Sequence, residues 1–324
     1  MSINATVLRA ALGAAVLIGA GAAQAQDYPS RPMRLILPYN PGGIVDYVGR
    51  TIGQGLSQVT GQSVVPENKP GAGGILGTHT VATSDPDGYT LLLMDPAIVV
   101  NSALQTDINY DLFKDLKVVS VVSSSPLVLV TTPSLPVISF KEFVDYSKSN
   151  PGKLNYASAG VGTTPHLAGE LLRMRTGIDA THVPYRGIAG SFADLMTGKV
   201  QFSFSSIPGA KPFTDDNRLR ALATTGGKRS PAYPDLPTVA EAGLPGYQVD
   251  LWLAVFVPFA TPDAVVTALS AKLKQTIDDP TIKTALANFG VESRGTSPAE
   301  GTSFVHAEYE MWKKVVESAN LKQQ

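Results

Sequence analysis

The run Leu116–Val130, LKVVSVVSSSPLVLV, decides the fold of this chain. It is long, rich in β-branched residues and almost continuously apolar, which is typical of a strand buried on both faces. A strand of that length can leave one lobe of a protein and enter another. A comparable run, Leu251–Val257, is followed by Pro258. The two runs predict two strand crossings that form a hinge between two lobes.

Shorter segments of alternating character flank and separate these runs. The sequence predicts strands at residues 33–37, 63–65, 89–93, 154–157, 181–183 and 200–205. It predicts helices at residues 45–59, 77–83, 140–149, 166–176, 189–197, 262–277, 280–289 and 298–320. Strand and helix in alternation favour parallel sheets covered by helices. The aromatic residues Trp252, Phe256 and Phe259, on or just after the second run, are expected in the core rather than in a site.

Composition narrows the possible functions. The 324 residues are too many for one compact core and suit two lobes. The net charge of −1 gives no basic field for nucleic acid or an anionic membrane, so a small anion must be held by local donors. The chain has no cysteine, and none of its four histidines is paired at metal-ligand spacing. We therefore expect no disulfide, no metal site and no cofactor.

The first residues have the pattern of a secretory signal. Arg9 supplies a positive charge, residues 10–23 are short and apolar, and Ala23-Gln24-Ala25 gives a small-x-small cleavage site. The alternative is a membrane anchor, but a spanning helix needs about 20 apolar residues and this run is shorter. Residues 1–25 are therefore predicted to be a signal peptide, which directs export to the periplasm.

Two glycine-containing segments stand between a predicted strand and a predicted helix. The first is Pro38–Asp46, PYNPGGIVD, in which Gly42 and Gly43 can turn the chain sharply and expose N–H groups. Those donors, with the positive end of a helix, suit a carboxylate or a phosphate. The alternative interpretation is a plain strand-to-helix turn with Asp46 in the first helical turn.

The second segment, Ala157–His166, has the sequence ASAGVGTTPH. Ser158, Thr163 and Thr164 offer hydroxyl groups, and the intervening glycines leave room for a close ligand. Thr163 or Thr164 could instead serve only as a helix cap. His166 alone favours a structural role.

Other chemistry finds little support in the sequence. The glycine-rich stretch Gly71–Gly77 lacks the last glycine of a dinucleotide-binding fingerprint, because Leu76 occupies that place. Ser158 with His166 is the best candidate for a nucleophile and base in a cleft hydrolase. Both lie on the same loop and helix, and no third group is evident. No catalytic residue is therefore predicted.

Several further motifs, in a fixed order along nearly the whole mature chain, resemble the Bug family. These are the substrate-binding proteins of tripartite tricarboxylate transporters. The matching segments are residues 28–35 (YPSRPMRL), 38–46, 67–74 (ENKPGAGG), 86–92 (PDGYTLL), 182–187 (HVPYRG), 220–223 (RALA) and 237–243 (PTVAEAG). A family member is a receptor rather than an enzyme.

The resemblance implies a two-lobed α/β periplasmic binding protein of the Venus flytrap type. Each lobe is then a mainly parallel sheet flanked by helices, and two crossing strands join them. We expect residues 26–124 and 253–324 in the first lobe and residues 125–252 in the second. The expected partners are a small carboxylate between the lobes and the membrane subunits of the transporter, and the protein is expected to be a monomer. A ligand sensor for a signalling partner would need the same closure and stays an alternative.

The resemblance also implies how the ligand is held. The first-lobe loop grips one carboxylate through Gly42 and Gly43, partly through ordered waters, and Ser158, Gly162 and Thr163 meet the other end. The full set of predicted ligand-binding residues is Tyr39, Asn40, Gly42, Gly43, Ser158, Gly162, Thr163, Arg186 and Ser205.

Departures from the family pattern bear on the choice of ligand. Many relatives carry Phe-Pro or Phe-Ala at Tyr39-Asn40 and Ser or Thr at Val45, and relatives that bind amino acids often place Asp at Ser205. Because an ammonium group needs a charged acceptor, we expect a dicarboxylate or an aromatic carboxylate without an amine. Asp95 argues against this expectation if its side chain faces the cleft, where it could repel the ligand or bind an amine.

Overall fold

The structure, a computed structural model, describes residues 28–104, 108–185 and 187–318. The predicted signal peptide lies outside the described residues. Within those three ranges, no helix combines the length and the apolar character that crossing a bilayer requires.

Ten strands and eleven α-helices make up the described chain. The strands are β1 (Met33–Leu37), β2 (Val64–Asn68), β3 (Thr90–Met94), β4 (Leu116–Thr131), β5 (Leu154–Ser158), β6 (Ala180–Pro184), β7 (Phe202–Ser206), β8 (Arg220–Thr224), β9 (Asp250–Pro258) and β10 (Glu292–Ser293). The helices are α1 (Ile44–Thr60), α2 (Ile75–Ala82), α3 (Ala97–Leu104), α4 (Leu112–Asp115), α5 (Phe140–Ser149), α6 (Thr164–Thr176), α7 (Phe192–Thr197), α8 (Ile207–Asp215), α9 (Asp263–Asp278), α10 (Pro280–Asn288) and α11 (Pro298–Ser318).

The strands form one curled sheet in the order β2-β1-β3-β9-β4-β7-β5-β6, and β8 and β10 also pair with β4. The pairs of β1 with β2 and β3, and of β5 with β6 and β7, are parallel. The two neighbours of β4 in this order, β9 and β7, both run antiparallel to it. Each half of the sheet therefore has its own group of parallel strands, with helices between them.

The strand β4 is shared by both halves. Its residues Leu116–Pro126 pair with β9, and its residues Leu127–Thr131 pair with β7 and β8. Just after β8, Thr225 donates its N–H to the carbonyl of Leu127 in β4, and its own carbonyl accepts the N–H of Val249 just before β9 begins. The chain therefore returns to the first half beside β4. The fold class expected from the long apolar run, two lobes joined through crossing strands, is confirmed. The exact residue limits of the lobes stay a prediction, which the change of pairing partner after Pro126 supports.

Three apolar cores stabilise this arrangement. One face of β1 packs on α1 and α9, with Leu35, Ile52 and Leu269 among the residues buried there. A second core lies between α7, α8 and one face of β4, with Val128 and Val130 among its residues. The largest core is continuous between the halves, since residues of β3, β4, α6 and α11 all belong to it.

Most predicted elements are confirmed within a few residues, and the differences have local causes. The helices α3, α4 and α8 and the strands β8 and β10 were missed: α3 follows Pro96, α8 contains Pro208 and Pro212, and α4 and β10 have only four and two residues. Trp252 and Phe256 are fully buried, as expected. Phe259 is 49% exposed, so its placement in the core was wrong. It lies beyond the end of β9 and receives Lys117 over its ring at 5.4 Å.

Because α6 packs closely on β5, the backbone at Gly169 leaves no room for a side chain. A Cβ built at Gly169 would lie 2.4 Å from the ring of Tyr156, which is fully buried. We expect Gly169→Ala to lower the free energy of unfolding by about 1–3 kcal/mol. Gly53, inside α1, is the matched control, because its nearest neighbour would be at 3.4 Å.

Gly53→Ala should leave stability unchanged or raise it by up to about 1 kcal/mol, since alanine favours the helix. Urea unfolding of both variants measures the difference. Equal effects of the two substitutions would contradict the packing described for Tyr156.

Candidate functional site

Four helices begin where parallel strands end. In the first half of the sheet, α1 follows β1 and α3 follows β3, and in the second half α6 follows β5 and α8 follows β7. Because parallel strands end at a common edge, the starts of these helices gather at the carboxyl edges of the two halves. Ligands of open α/β sheets bind outside such edges.

The starts of α1 and α6 leave backbone donors available. A helix cannot satisfy its first four N–H groups internally. Ser139 and Asp279 cap α5 and α10 with their side chains. Among the described residues no side chain caps α1, which begins after Gly43, or α6, which begins after Thr163. The positive ends of α1 and α6 are therefore open to an anion.

The side chain of Asp46 shapes the first loop. Its Oδ2 accepts the N–H of Gly42 at 3.0 Å, and its Oδ1 accepts the amide of Asn68 at 3.0 Å. Arg50 pairs with the same carboxylate at 2.9 Å. Hydrogen bonds from Arg50, Asn68 and Gly42 lower the pKa of Asp46 to about 2 against the cost of its burial. The N–H of Gly42 therefore donates within the loop, and its contact with a ligand stays a prediction.

Gly43 is the donor that this loop leaves open. The residue is exposed, and a Cβ built on it would have nothing within 4 Å. Its carbonyl accepts the N–H of Tyr47 at 3.0 Å, which is the first hydrogen bond of α1. Asn40 is also exposed, at the tip of the same loop.

Tyr39 and Asp95 form a pair at the carboxyl edge of the first half. The hydroxyl of Tyr39 donates to Asp95 Oδ1 at 2.8 Å, and the same oxygen accepts the N–H of Ala97 at 3.0 Å. Both side chains are half-buried. Burial raises the pKa of Asp95 even though these two hydrogen bonds favour its ionised form. Asp95 therefore starts α3 and holds the Tyr39 hydroxyl in place.

The second loop is organised in the same manner as the first. Gly162 N–H donates to His166 Nδ1 at 3.1 Å, and the Thr163 hydroxyl donates to the carbonyl of Gly160 at 2.7 Å. Ser158 is fully buried, and its Oγ lies 2.6 Å from His182 Nε2 and accepts the N–H of Gly160. Ser158 thus shapes the loop from below, and Gly162 and Thr163 lie at its half-buried surface.

The loop of the second half approaches the first half. A Cβ built at Gly162 would lie 3.8 Å from Cγ1 of Val100 in α3. The predicted site residue Ser205 is fully buried in β7, and its hydroxyl finds no hydrogen-bond partner among the described residues. Arg186, also predicted to bind the ligand, lies outside the described residues.

The geometry gives the hydrolase alternative no support. Ser158 contacts His182 rather than His166, because β5 and β6 pair in parallel and bring those two residues to the same edge. The Ser158 hydroxyl is fully buried and already makes hydrogen bonds within its own loop. His182 was missed as a member of this group. His182 lies opposite Tyr156 in the pairing of β5 with β6, and Tyr156 precedes Ser158 by two residues. The sequence alone does not give this register, so the proximity of His182 to Ser158 could not be predicted.

A model of a known family matches residues 48–321, and its description is tripartite tricarboxylate transporter family receptor. The BugT protein of Bordetella pertussis is 33% identical over 324 residues, with 99% of each chain covered.

Solved structures are also similar. The Rhodopseudomonas palustris protein Rpa4515, solved with adipate, is 35% identical with a TM-score of 0.80, and the match covers 91% of this chain and 99% of that one. MatC from Rhodopseudomonas palustris, solved with bound malate, is 31% identical with a TM-score of 0.76, over 89% of this chain and 100% of that one.

The network around Asp46 predicts a stability effect that depends on pH. Asp46→Ala removes the acceptor of Gly42 and the partner of Arg50, so we expect the free energy of unfolding at pH 7 to fall by about 1–3 kcal/mol. The pKa of Asp46 is about 2 in the folded protein and about 4 in the unfolded chain. The carboxylate therefore contributes fully to the free energy of unfolding above about pH 4, and this contribution is lost as the pH falls through about 2.

Denaturant unfolding of wild type and variant between pH 7 and pH 2 measures this difference. Asp145→Ala serves as the control, since it breaks the exposed pair with Lys141 and should change stability little. A difference for Asp46→Ala that stays constant down to pH 2 would contradict the role given to its charge.

Proposed function

The chain belongs to the tripartite tricarboxylate transporter receptor family, and from this membership we propose that it binds a dicarboxylate between its lobes and delivers it to the membrane subunits of such a transporter. The resemblance to the Bug family drawn from the sequence motifs is confirmed. Members of this family are periplasmic solute-binding receptors rather than enzymes. We also propose that residues 1–25 are the signal peptide that takes this chain to the periplasm.

One observation carries the proposal: each half of the sheet presents a helix start without a side-chain cap, α1 in the first and α6 in the second. Two open N-termini match two carboxylate groups, because each supplies backbone donors and a positive dipole end. The net charge of −1 provides no other attraction for an anion. A ligand that contacts both lobes binds the closed form best and shifts the population toward it.

The class of ligand follows from the loops and from the relatives. Proteins about one third identical to this chain were solved with adipate and with malate, which supports a dicarboxylate. The uncharged Ser205 offers no counter-charge for an ammonium group. Asp95 is held by Tyr39 and by the start of α3, so part of its charge is used within the first lobe. A dicarboxylate without an amine is therefore the favoured ligand, and an aromatic carboxylate is the second choice.

A ligand panel tests the proposed class. Adipate, malate, benzoate, glutamate and aspartate are each added to the mature protein, and thermal unfolding is recorded. A ligand present at 100 times its Kd stabilises the folded state by about 2.7 kcal/mol, so a concentration-dependent rise in Tm is expected for adipate or malate. Strong stabilisation by glutamate or aspartate with none by the simple dicarboxylates would overturn the proposed ligand class.

A pair of substitutions at Gly43 tests the backbone donor itself. Gly43 has φ −86°, which is near the proline range, so Gly43→Pro removes the N–H with little change of backbone. Gly43→Ala keeps the N–H, and its Cβ would meet nothing within 4 Å in the protein. We expect the proline variant to bind adipate at least about tenfold more weakly, as loss of a hydrogen bond to a charged group predicts.

Calorimetry measures both affinities, and unfolding of the unliganded variants checks that each is folded. The alanine variant should stay within a few-fold of wild type. Equal binding by the proline variant and wild type would contradict a role for this amide.

A further inference from the structure

Two histidines stack beneath the second loop. His166, in the first turn of α6, and His182, in β6, have ring centroids 4.0 Å apart with an interplanar angle of 23°. The ring of Tyr156 lies beside both of them, with its centroid 4.9 Å from that of His182 and 6.4 Å from that of His166. His166 is only 2% exposed, and His182 is half-buried. The pair is therefore part of the packed interior of the second lobe and also borders the loop Ser158–Thr163.

Each histidine holds one part of that loop. The N–H of Gly162 donates to His166 Nδ1, which is possible only when this nitrogen carries no proton. His182 Nε2 lies 2.6 Å from the hydroxyl of Ser158, which also accepts the N–H of Gly160. A proton on His166 Nδ1 would make this nitrogen a donor that faces the N–H of Gly162. The hydrogen bond would then be lost and Gly162 would move away. The observed shape of the loop therefore requires neutral His166.

The charged groups around the pair favour its neutral form. Glu170, one turn along α6, already accepts the Tyr156 hydroxyl and pairs with Arg173 at 2.7 Å. Burial, with a smaller effect of Arg173, lowers the pKa of His166 to about 4. Burial and the neighbouring ring likewise lower the pKa of His182 to about 4, although Glu170 acts in the opposite direction. Tyr247, which lies outside α6, donates its hydroxyl to the carbonyl of Ala168 in α6.

We propose that His166 and His182 are positioning residues that, as a neutral stacked pair, fix the loop Ser158–Thr163 in the shape that receives a carboxylate. This inference rests on the proposed function. Gly162 and Gly160 have positive φ values of 79° and 129°, so the loop is held in a conformation that needs support. The histidines give that support without placing a negative charge beside the anion.

Two substitutions of His166 separate its acceptor from its ring. His166→Phe keeps an aromatic ring for stacking on His182 but offers no acceptor to Gly162. His166→Asn keeps a side-chain acceptor near the place of Nδ1 and cannot titrate. His79→Asn, at a half-buried position of α2 in the first lobe, is the matched control. Calorimetry with adipate as the probe at pH 7.5 should show binding at least about tenfold weaker for His166→Phe. The other two variants should remain within about threefold of wild type.

A second readout needs no ligand. In unliganded wild type at pH 7.5, the ring nitrogen shifts of His166 should report the neutral form protonated at Nε2. The amide shifts of residues 158–163 should change in His166→Phe and stay close to wild type in His166→Asn. If no variant binds any carboxylate, the proposed function fails, and these spectra still test the positioning role.

Unchanged loop shifts and unchanged affinity in His166→Phe would overturn the inference. If that variant does not fold, the wild-type spectrum decides alone. A charged His166, or one protonated at Nδ1, at pH 7.5 would overturn the inference.

Discussion

In both lobes, the side chain at the third position of a helix reaches back to the amide of a glycine four residues earlier. Asp46 accepts from Gly42 at the start of α1, and His166 accepts from Gly162 at the start of α6. In a capping box the third residue serves the N-cap in a comparable way. Here the bond bends the preceding loop and leaves the next amides of the helix without a side-chain cap. The site depends on this arrangement, because it opens a positive helix end in each lobe.

The two acceptors, Asp46 and His166, hold their loops without adding net negative charge beside the proposed anion site. A bare carboxylate beside an anion site would repel the ligand, but Arg50 pairs with Asp46 and balances its charge. In the second lobe the acceptor is an imidazole that burial keeps neutral. Each loop is thus held by a strong acceptor that adds no net negative charge. The shared strand β4 and the continuous core connect the two halves of the sheet that carry these loops.

Much of the fold could be predicted because its signals are local. The apolar run at residues 116–130 became β4, Leu116–Thr131, and the predicted helix at residues 140–149 became α5 with the same limits. The site was harder, since hydrogen bonds inside a loop are not visible in composition. The sequence predicted that Gly42, Gly162 and Ser158 bind the ligand, and this stays a prediction. The structure uses the Gly42 and Gly162 amides and the Ser158 hydroxyl to build the loops. The spacing of glycine to acceptor, four residues in both loops, is the signal that could have revealed this.

A crystal structure of the mature protein with adipate would show directly whether the two helix starts hold the ligand. We expect one carboxylate at the start of α1, within about 3 Å of the Gly43 or Ile44 nitrogen or joined to it by one water, and the other at the start of α6. Adipate held by side chains alone, with neither helix start facing it, would show that the helix starts are not the binding groups.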